Sequence, residues 1–532
     1  MNTAIAVPVG NDPVTSQIAI SRQIRGSSLL LLGRLLSLGL NFVVQVITVR
    51  YLSKSDYGAF AYALTVASLG SFIAGFGLHK AVSVFIPVYH EQGNYDKVFG
   101  TIILTVGTIL SLGLIFVVGV YSLQGYIAQS FVTDRKVLPL LLVMIAGVPL
   151  QALDSLLIAM FAIFSKPRAI FFRKYLIGPG LQLIIVLLLI FRGSDVYSLA
   201  IGYLAAGISG VLICALTLIR ELNNQGLLRN FNFHTIQYPA REVFGFTIPL
   251  LSTDLVFMLR SSLVVVLVEH FRGTIDVAAF RVVIPVAMLN MIVYQNFAYL
   301  YTPLASRMLV RNDRDGINQL YWQTAVWIAV ISFPIFAVTF SLSRPLVNLL
   351  YGERYEQSAI TLSLLSLGYY FNAALGFNGM TLRMYRKLKY IVGVDLLGGV
   401  ICLCINLLLI RNYGAIGGAI ATCGTLVIQN VLYQGGLRMG TDIRLFEWHW
   451  LKVYLAIALG AMGLLLIQVA ISPYVYSSFA LAALVSLLVV RLNHRVLGLG
   501  QTFPEFRHLP LAWLLIGEKP GNKQKACEAE IV

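Results

Sequence analysis

Charge is scarce in this 532-residue chain. Only 12% of its residues are Asp, Glu, Lys or Arg, about half the share of an ordinary soluble chain. That shortage excludes a water-facing surface over most of the sequence. Long polar stretches are lacking too, since the gaps between apolar runs reach only about a couple of dozen residues, too short for a soluble domain. Cysteine is sparse as well. Cys214, Cys402, Cys404 and Cys423 lie within apolar runs and Cys527 in the tail, none at metal-ligand spacing. A cysteine metal site and a disulfide framework are thereby excluded, and the five read as small packing residues. There is no phosphate-binding loop and no Ser/His/Asp set in an exposed domain, which argues against ATP hydrolysis and against any bound cofactor. The first 26 residues lack the long apolar core and cleavage site of a signal peptide, so the first span is expected to be its own insertion signal.

What is present is apolar. Hydrophobic residues make up 58% of the chain, and the mean hydropathy is +0.81. About fourteen apolar stretches of roughly 20 residues follow one another from Ser27 to Val490, each long enough to cross a ~30 Å hydrocarbon core at ~1.5 Å per residue. The expectation is an all-α, polytopic membrane protein. Its organisation reads as a cytoplasmic segment (1–26), a six-helix bundle (27–219), a second six-helix bundle (243–436), two additional transmembrane helices (453–490) and a cytoplasmic tail (491–532). The second and eighth spans read as 58–78 and 277–301.

The net charge of +16 would suggest nucleic acid in a soluble protein. Here it reads as orientation, and no nucleic-acid partner is expected. About 27 of the 39 Lys and Arg fall in one alternate set of loops and the termini, against about nine in the other set, which the positive-inside rule converts into cytoplasmic termini and an even number of crossings.

A weak internal repeat appears at an offset of 220 residues. Between Tyr51–Leu69 and Phe271–Leu289, six of nineteen positions match, including Asp56/Asp276 and Phe60/Phe280. Six spans separate the copies, so the repeat is parallel, a pseudo-twofold arrangement found in transporters that rock two bundles around a central site.

Intramembrane charge is costly and marks function. Arg34 begins a polar stripe with Asn41, Gln45 and Thr48 on one face of the first span. Two readings stay open for it, a cavity-lining cation or an arginine snorkelling to the inner interface. Arg260 lies deep in the seventh span, on the helix that carries Pro249, Ser252, Thr253 and Asp254. It lines a cavity or forms half of a structural ion pair. Arg281, just inside the eighth span, and Lys80, at the end of the second, are ambiguous. Asp154, with Gln151, is either an ion-coupling carboxylate or a salt-bridge partner. Asp395 reads as snorkelled at the membrane edge near Lys389. Asp313-Arg314-Asp315 imitates a glycosyltransferase motif without a nucleotide-binding domain around it, and Trp448-His449-Trp450 reads as an aromatic belt.

Three stretches carry a family resemblance: VRYLSKSDYGAFAYA (Val49–Ala63), PLVNLLYGERYEQSA (Pro345–Ala359) and NYGAIGGAIAT (Asn412–Thr422). In order and spacing they resemble the polysaccharide-biosynthesis, or O-antigen, flippases of the multidrug/oligosaccharidyl-lipid/polysaccharide exporter superfamily. The resemblance spans about residues 25–440 and beyond them concerns topology alone. It implies two six-helix bundles around a central cavity, plus two extra helices. It further implies a lipid-linked oligosaccharide substrate on a polyprenyl diphosphate, and alternating access driven by an ion gradient or membrane potential in the plasma membrane. Polysaccharide polymerase and chain-length machinery are the partners such a transporter would meet, besides membrane lipids. Arg34, Arg260 and Arg281 would then bind the diphosphate, Asn41, Gln45, Asn290 and Gln295 the sugars, and Asp154 and Asp254 would couple an ion. A cation-coupled multidrug antiporter of the same superfamily is the competing reading, and it would favour carboxylates over arginines. A membrane polymerase or ligase would present a sizeable outer loop, whereas the outer loops here run to roughly five to sixteen residues.

Overall fold

The computed structural model describes residues 13–497, apart from 131–133, 135, 165–170, 225, 228–234, 442, 445 and 472. Side chains are described from residue 32 onward, except at a few helical positions that include 249–250, 252–254 and 256–257. Among the described residues every regular element is helical. Among these same residues, twelve helical segments are long and apolar enough to cross a membrane. Leu114, Ile115, Phe191, Leu408 and Leu459 are among the many large apolar side chains on the outside, as expected when the surrounding solvent is lipid. The chain is an all-α, multi-pass integral membrane protein.

It divides into two compact units, Met1–Met258 and Leu259–Val532. The first holds α1 (Pro13–Tyr51), α2 (Lys54–Gly75), α3 (Leu78–Glu91), α4 (Tyr95–Ser122), α5 (Val137–Ala146), α6 (Val148–Ile163), α7 (Gly178–Arg192, entered through a π turn at Phe171–Ile177) and α8 (Val196–Asn224). The unit boundary falls inside α9 (Ala240–Arg272). The second bundle was expected to begin at 243, but the start of α9 packs in the first unit. Phe244 meets Phe76 edge-on at 6.1 Å and Phe246 meets Phe85 at 5.6 Å, contacts that reward burial and ring geometry together.

Several spans are not continuous helices. The second span was expected at 58–78, with Lys80 at its end. Instead α2 stops at Phe76 and Gly77, both left-handed, and α3 continues to Glu91, so Lys80 lies within a helix in the middle of a 38-residue segment. Ser53 caps α2, with Asp56 N–H donating to Ser53 Oγ at 3.1 Å.

The second unit contains α10 (Thr274–Arg281), α11 (Ile292–Val310), α12 (Arg314–Phe336), α13 (Ser358–Ala374), α14 (Asn378–Met384), α15 (Leu388–Thr441), α16 (Leu451–Ile471) and α17 (Val475–Leu492). The eighth span, expected as one helix over 277–301, is interrupted between α10 and α11 by a five-residue helix at Ile284–Met288, with Pro285, which cannot donate, in its first turn, and a 3-10 turn at Leu289–Met291. α15 is two helices meeting at Gly414, whose φ of 54° and ψ of −128° suit glycine alone. α16 and α17 do not stand apart. They share one apolar core with Phe333, Phe336 and Tyr370, and Ser341 Oγ donates to the Ala461 carbonyl at 2.8 Å.

The two sequence decoys are structural. Asp313 caps α12, accepting from Gly316 N–H at 2.9 Å. Trp448–Trp450 forms a 3-10 turn leading into α16, with Trp450 Nε1 donating to Glu447 at 3.2 Å.

Candidate functional site

In the first unit, α1 packs its Gly33 under Phe171 and Tyr175, whose rings approach to 2.6 Å of the position a Cβ would take. The buried seam Gly33, Ser37, Val44 and Thr48 runs along α1 beside the polar stripe. Arg34 and Gln45 flank that seam half-buried, and Asn41 is exposed and donates to Ser37 Oγ at 3.1 Å. Thr48, the fourth stripe member, is buried in the seam and donates to the Val44 carbonyl at 2.7 Å. The stripe therefore straddles the edge of a packing face.

Where α2 breaks, a cavity of about 280 Å³ opens, lined by Ser68, Ser71, His79, Gln151 and Ser155 together with apolar side chains. Ser71 Oγ donates to Gln151 Oε1 at 3.1 Å. Asp154 is half-buried on the same helix as Gln151. At the C-terminal end of α3, Tyr89 donates to Glu242 at 2.5 Å and Lys97 pairs with the other carboxylate oxygen at 3.3 Å. The hydrogen bond from Tyr89, and then Lys97, hold the Glu242 carboxyl below its ordinary pKa. The side chain of Asp254 lies outside the described residues.

In the second unit the arginine expected to matter is built into a network. Arg260 on α9 donates through Nη1 to Gln429 Oε1. Gln429 Nε2 donates in turn to Asp395 Oδ1 at 3.5 Å, and the same oxygen accepts from Tyr433 at 2.5 Å. Asp395 is thus held by Gln429 and Tyr433. It lies two turns inside α15 and faces the helix's returning half. The kink at Gly414 makes this meeting possible, because Asp395 and Tyr433 stand nineteen residues on either side of it.

Arg281, at the end of α10, is half-buried. Tyr369 on α13 is within electrostatic reach of both Arg260 and Arg281, and Tyr433 is within reach of Arg260 and Arg383. Asn290 is fully buried at the break of the eighth span and donates to Ala287 and Thr339, so it is a structural amide rather than part of a sugar-facing wall. Gln295 is half-exposed on α11.

Sequence reasoning missed Gln429, Asn430, Tyr433 and Gln434, four polar residues at i, i+1, i+4 and i+5 on one apolar helix. That spacing was the available signal. Asn430 bonds Asn372 at 2.7 Å and Asn378 at 2.9 Å, and Gln434 accepts from Tyr321 at 2.8 Å. Among the described residues no group of three or more His, Cys, Asp or Glu could hold a metal ion.

This architecture has known counterparts. Over 88% of this chain and 99% of the other, the fold matches the lipid II flippase MurJ in an inward closed conformation, with a TM-score of 0.67 at 16% identity. It also matches an inward-facing multidrug resistance transporter of the MATE family, of the MOP superfamily. That match covers 76% of this chain and 94% of the other, with a TM-score of 0.63 at 14% identity. In sequence, the succinoglycan biosynthesis transport protein ExoT of Rhizobium meliloti is 23% identical over 345 residues, 62% of each chain. Residues 47–360 match the family model described as polysaccharide biosynthesis protein. That match covers more than half of the sequence. The chain belongs to the polysaccharide biosynthesis protein family.

Proposed function

We propose that this protein moves an oligosaccharide linked to a polyprenyl diphosphate from the cytoplasmic to the outer leaflet, without catalysing a covalent step. One observation carries the reading: Arg260 and Arg281, from two different apolar helices, lie within electrostatic reach of a single tyrosine, Tyr369. A diphosphate entering a bilayer needs fixed positive charge, and arginine keeps its charge when buried. Arg34 would add a third cation, and Asn41 and Gln45 would offer hydrogen bonds to sugar hydroxyls. The relatives agree in kind, since ExoT is named a transport protein of succinoglycan biosynthesis and MurJ a lipid II flippase.

In this reading fourteen spans cross the plasma membrane with both termini in the cytoplasm, and two six-helix bundles alternate access to a central site. An ion gradient or the membrane potential drives the cycle, with Asp154 and Asp254 as the coupling carboxylates. Polysaccharide polymerase and chain-length machinery would receive the product.

Two experiments test this. For topology, Ser194→Cys and Lys387→Cys are introduced singly in a cysteine-free background. A membrane-impermeant thiol reagent on intact cells should label the first and spare the second, and the reverse pattern sinks the orientation. For the substrate, purified protein is reconstituted into vesicles with a fluorescent polyprenyl-diphosphate oligosaccharide. Arg260→Ala and Arg281→Ala should each weaken substrate binding about ten- to a hundredfold, the cost of one charge-assisted contact. Arg→Lys at either position should retain part of the activity. Folded protein that leaves this lipid in place but exchanges cationic drugs for protons is an antiporter instead.

A further inference from the structure

A guanidinium that binds phosphate must be held at a set angle, because its fork presents two parallel N–H groups only in one plane. Around Arg260 the second unit supplies the means. Gln429 is buried, and its amide has two unlike ends. Its carbonyl oxygen accepts from Arg260 and its NH2 donates to Asp395. Both neighbours distinguish those ends, because a guanidinium donates and cannot accept whereas a carboxylate accepts and cannot donate. Were the amide reversed, an NH2 would face the guanidinium and a carbonyl would face the carboxylate, two repulsive contacts in a low-dielectric site. Tyr433 holds the same Asp395 oxygen at 2.5 Å and so fixes the carboxylate in turn. Gly398 completes the arrangement. A Cβ there would come within 2.5 Å of Gln429 Nε2 and 2.8 Å of its Cγ, so the amide lies flat across a bare glycine. Asp395 and Gly398 share one face of the outgoing half of α15, one turn apart, and Gln429 and Tyr433 share one face of the returning half.

We infer that Asp395, Tyr433, Gln429 and Gly398 form a positioning relay. It orients the Arg260 fork toward an anionic head group and thereby sets the affinity for diphosphate. This rests on the reading of Arg260 as a phosphate-binding cation, and adds that the cation is tuned from behind by a neutral amide. The amide satisfies one N–H of the fork without cancelling its charge, as a carboxylate in the same place would.

The test is a double-mutant cycle in the full-length protein purified in detergent. The probe is a dye-labelled polyprenyl diphosphate without sugar, and its binding is read by fluorescence. Gln429→Ala should weaken binding about tenfold in the otherwise unchanged chain and less than about twofold in the Arg260→Ala chain, because the amide acts only through the arginine. Asp395→Asn should follow the same pattern with a smaller loss, about three- to fivefold, since Asn still accepts from Tyr433. In reconstituted vesicles both losses should appear in the substrate concentration giving half-maximal transport, with the maximal rate held. Equal losses in the two backgrounds overturn the relay and leave Arg260 as a direct contact. Undiminished probe binding by Arg260→Ala overturns the phosphate reading itself. Thermal unfolding midpoints identify variants that fail to fold. If Gln429→Ala is among them, Gln429→Glu decides: it keeps the volume and the contact to Arg260 but cancels its charge, so it should nearly abolish probe binding. Binding retained by that variant overturns the relay.

Discussion

Two helical segments begin 220 residues apart, Lys54–Glu91 in the first unit and Thr274–Val310 in the second, and they break in different places. They are nearly equal in length, 38 and 37 residues. Each begins with an aspartate in its first turn, Asp56 or Asp276. Asp56 closes a cap with Ser53 and pairs with Lys136 at 3.1 Å. Asp276 pairs with Arg272 at 3.7 Å and lies against Gly414, where no Cβ takes up the space. Beyond the anchor the two diverge. The first runs 22 residues to a left-handed break at Phe76 and Gly77, beside a hydroxyl-lined cavity. The second runs only eight, and its break carries Arg281, Pro285 and Asn290. The shared aspartate marks where each segment starts; the glycine or proline further along marks where its helix breaks.

Changes at the anchors and breaks test this contrast. The largest effect is expected at the anchor of the second segment. Gly414→Ala would place a methyl on the Asp276 carboxylate and force an alanine into a glycine-only conformation. The expected loss is about 3 kcal/mol or more, read as the denaturant midpoint of purified protein together with its yield in the membrane. An unchanged midpoint would mean that the hairpin of α15 does not depend on its turn. A smaller loss is expected at the break of the first segment. Gly77→Ala meets a φ of +66° and Thr247 Cγ2 at 3.2 Å, which should cost about 1–2 kcal/mol. A loss matching that of Gly414→Ala would erase the distinction between anchor and break.

The smallest effect concerns pH. Glu242, which ties down the C-terminal end of α3 through Tyr89, has a folded pKa below its ordinary value of 4.5. Its contribution to stability is therefore complete above that ordinary value and fades as pH falls through the folded one. The group is largely solvated, so the contribution is small. Glu242→Gln should flatten the acid limb of the unfolding midpoint measured below pH 5. An identical acid limb in the variant would show that the tie contributes nothing.

Much of the candidate site was legible because charge is conspicuous in an apolar helix. Arg260 and Arg281 stood out for that reason, and so did Arg34 and Asp154. Asp395 was read beside Lys389, which precedes it closely in the chain, while its partners Gln429 and Tyr433 lie more than thirty residues away. Asn290 looked like a sugar ligand from its position, yet it is fully buried and its NH2 donates to Ala287 and Thr339. Nothing local in the sequence announces such a choice of partner.

The sequence by itself determined the solvent and the secondary structure. In lipid each backbone N–H and C=O must find a partner within its own segment, so about twenty apolar residues in a row can hardly be anything but a helix. The arrangement within those helices was decided by the tertiary structure: that the second span stops at Phe76, that α15 folds back at Gly414, and that Arg260 meets an amide backed by a carboxylate. Backbone hydrogen bonds in a helix close over four residues and can be read from a short window. Side-chain partners are settled by packing between elements far apart in the chain, and they exist only once those elements have met.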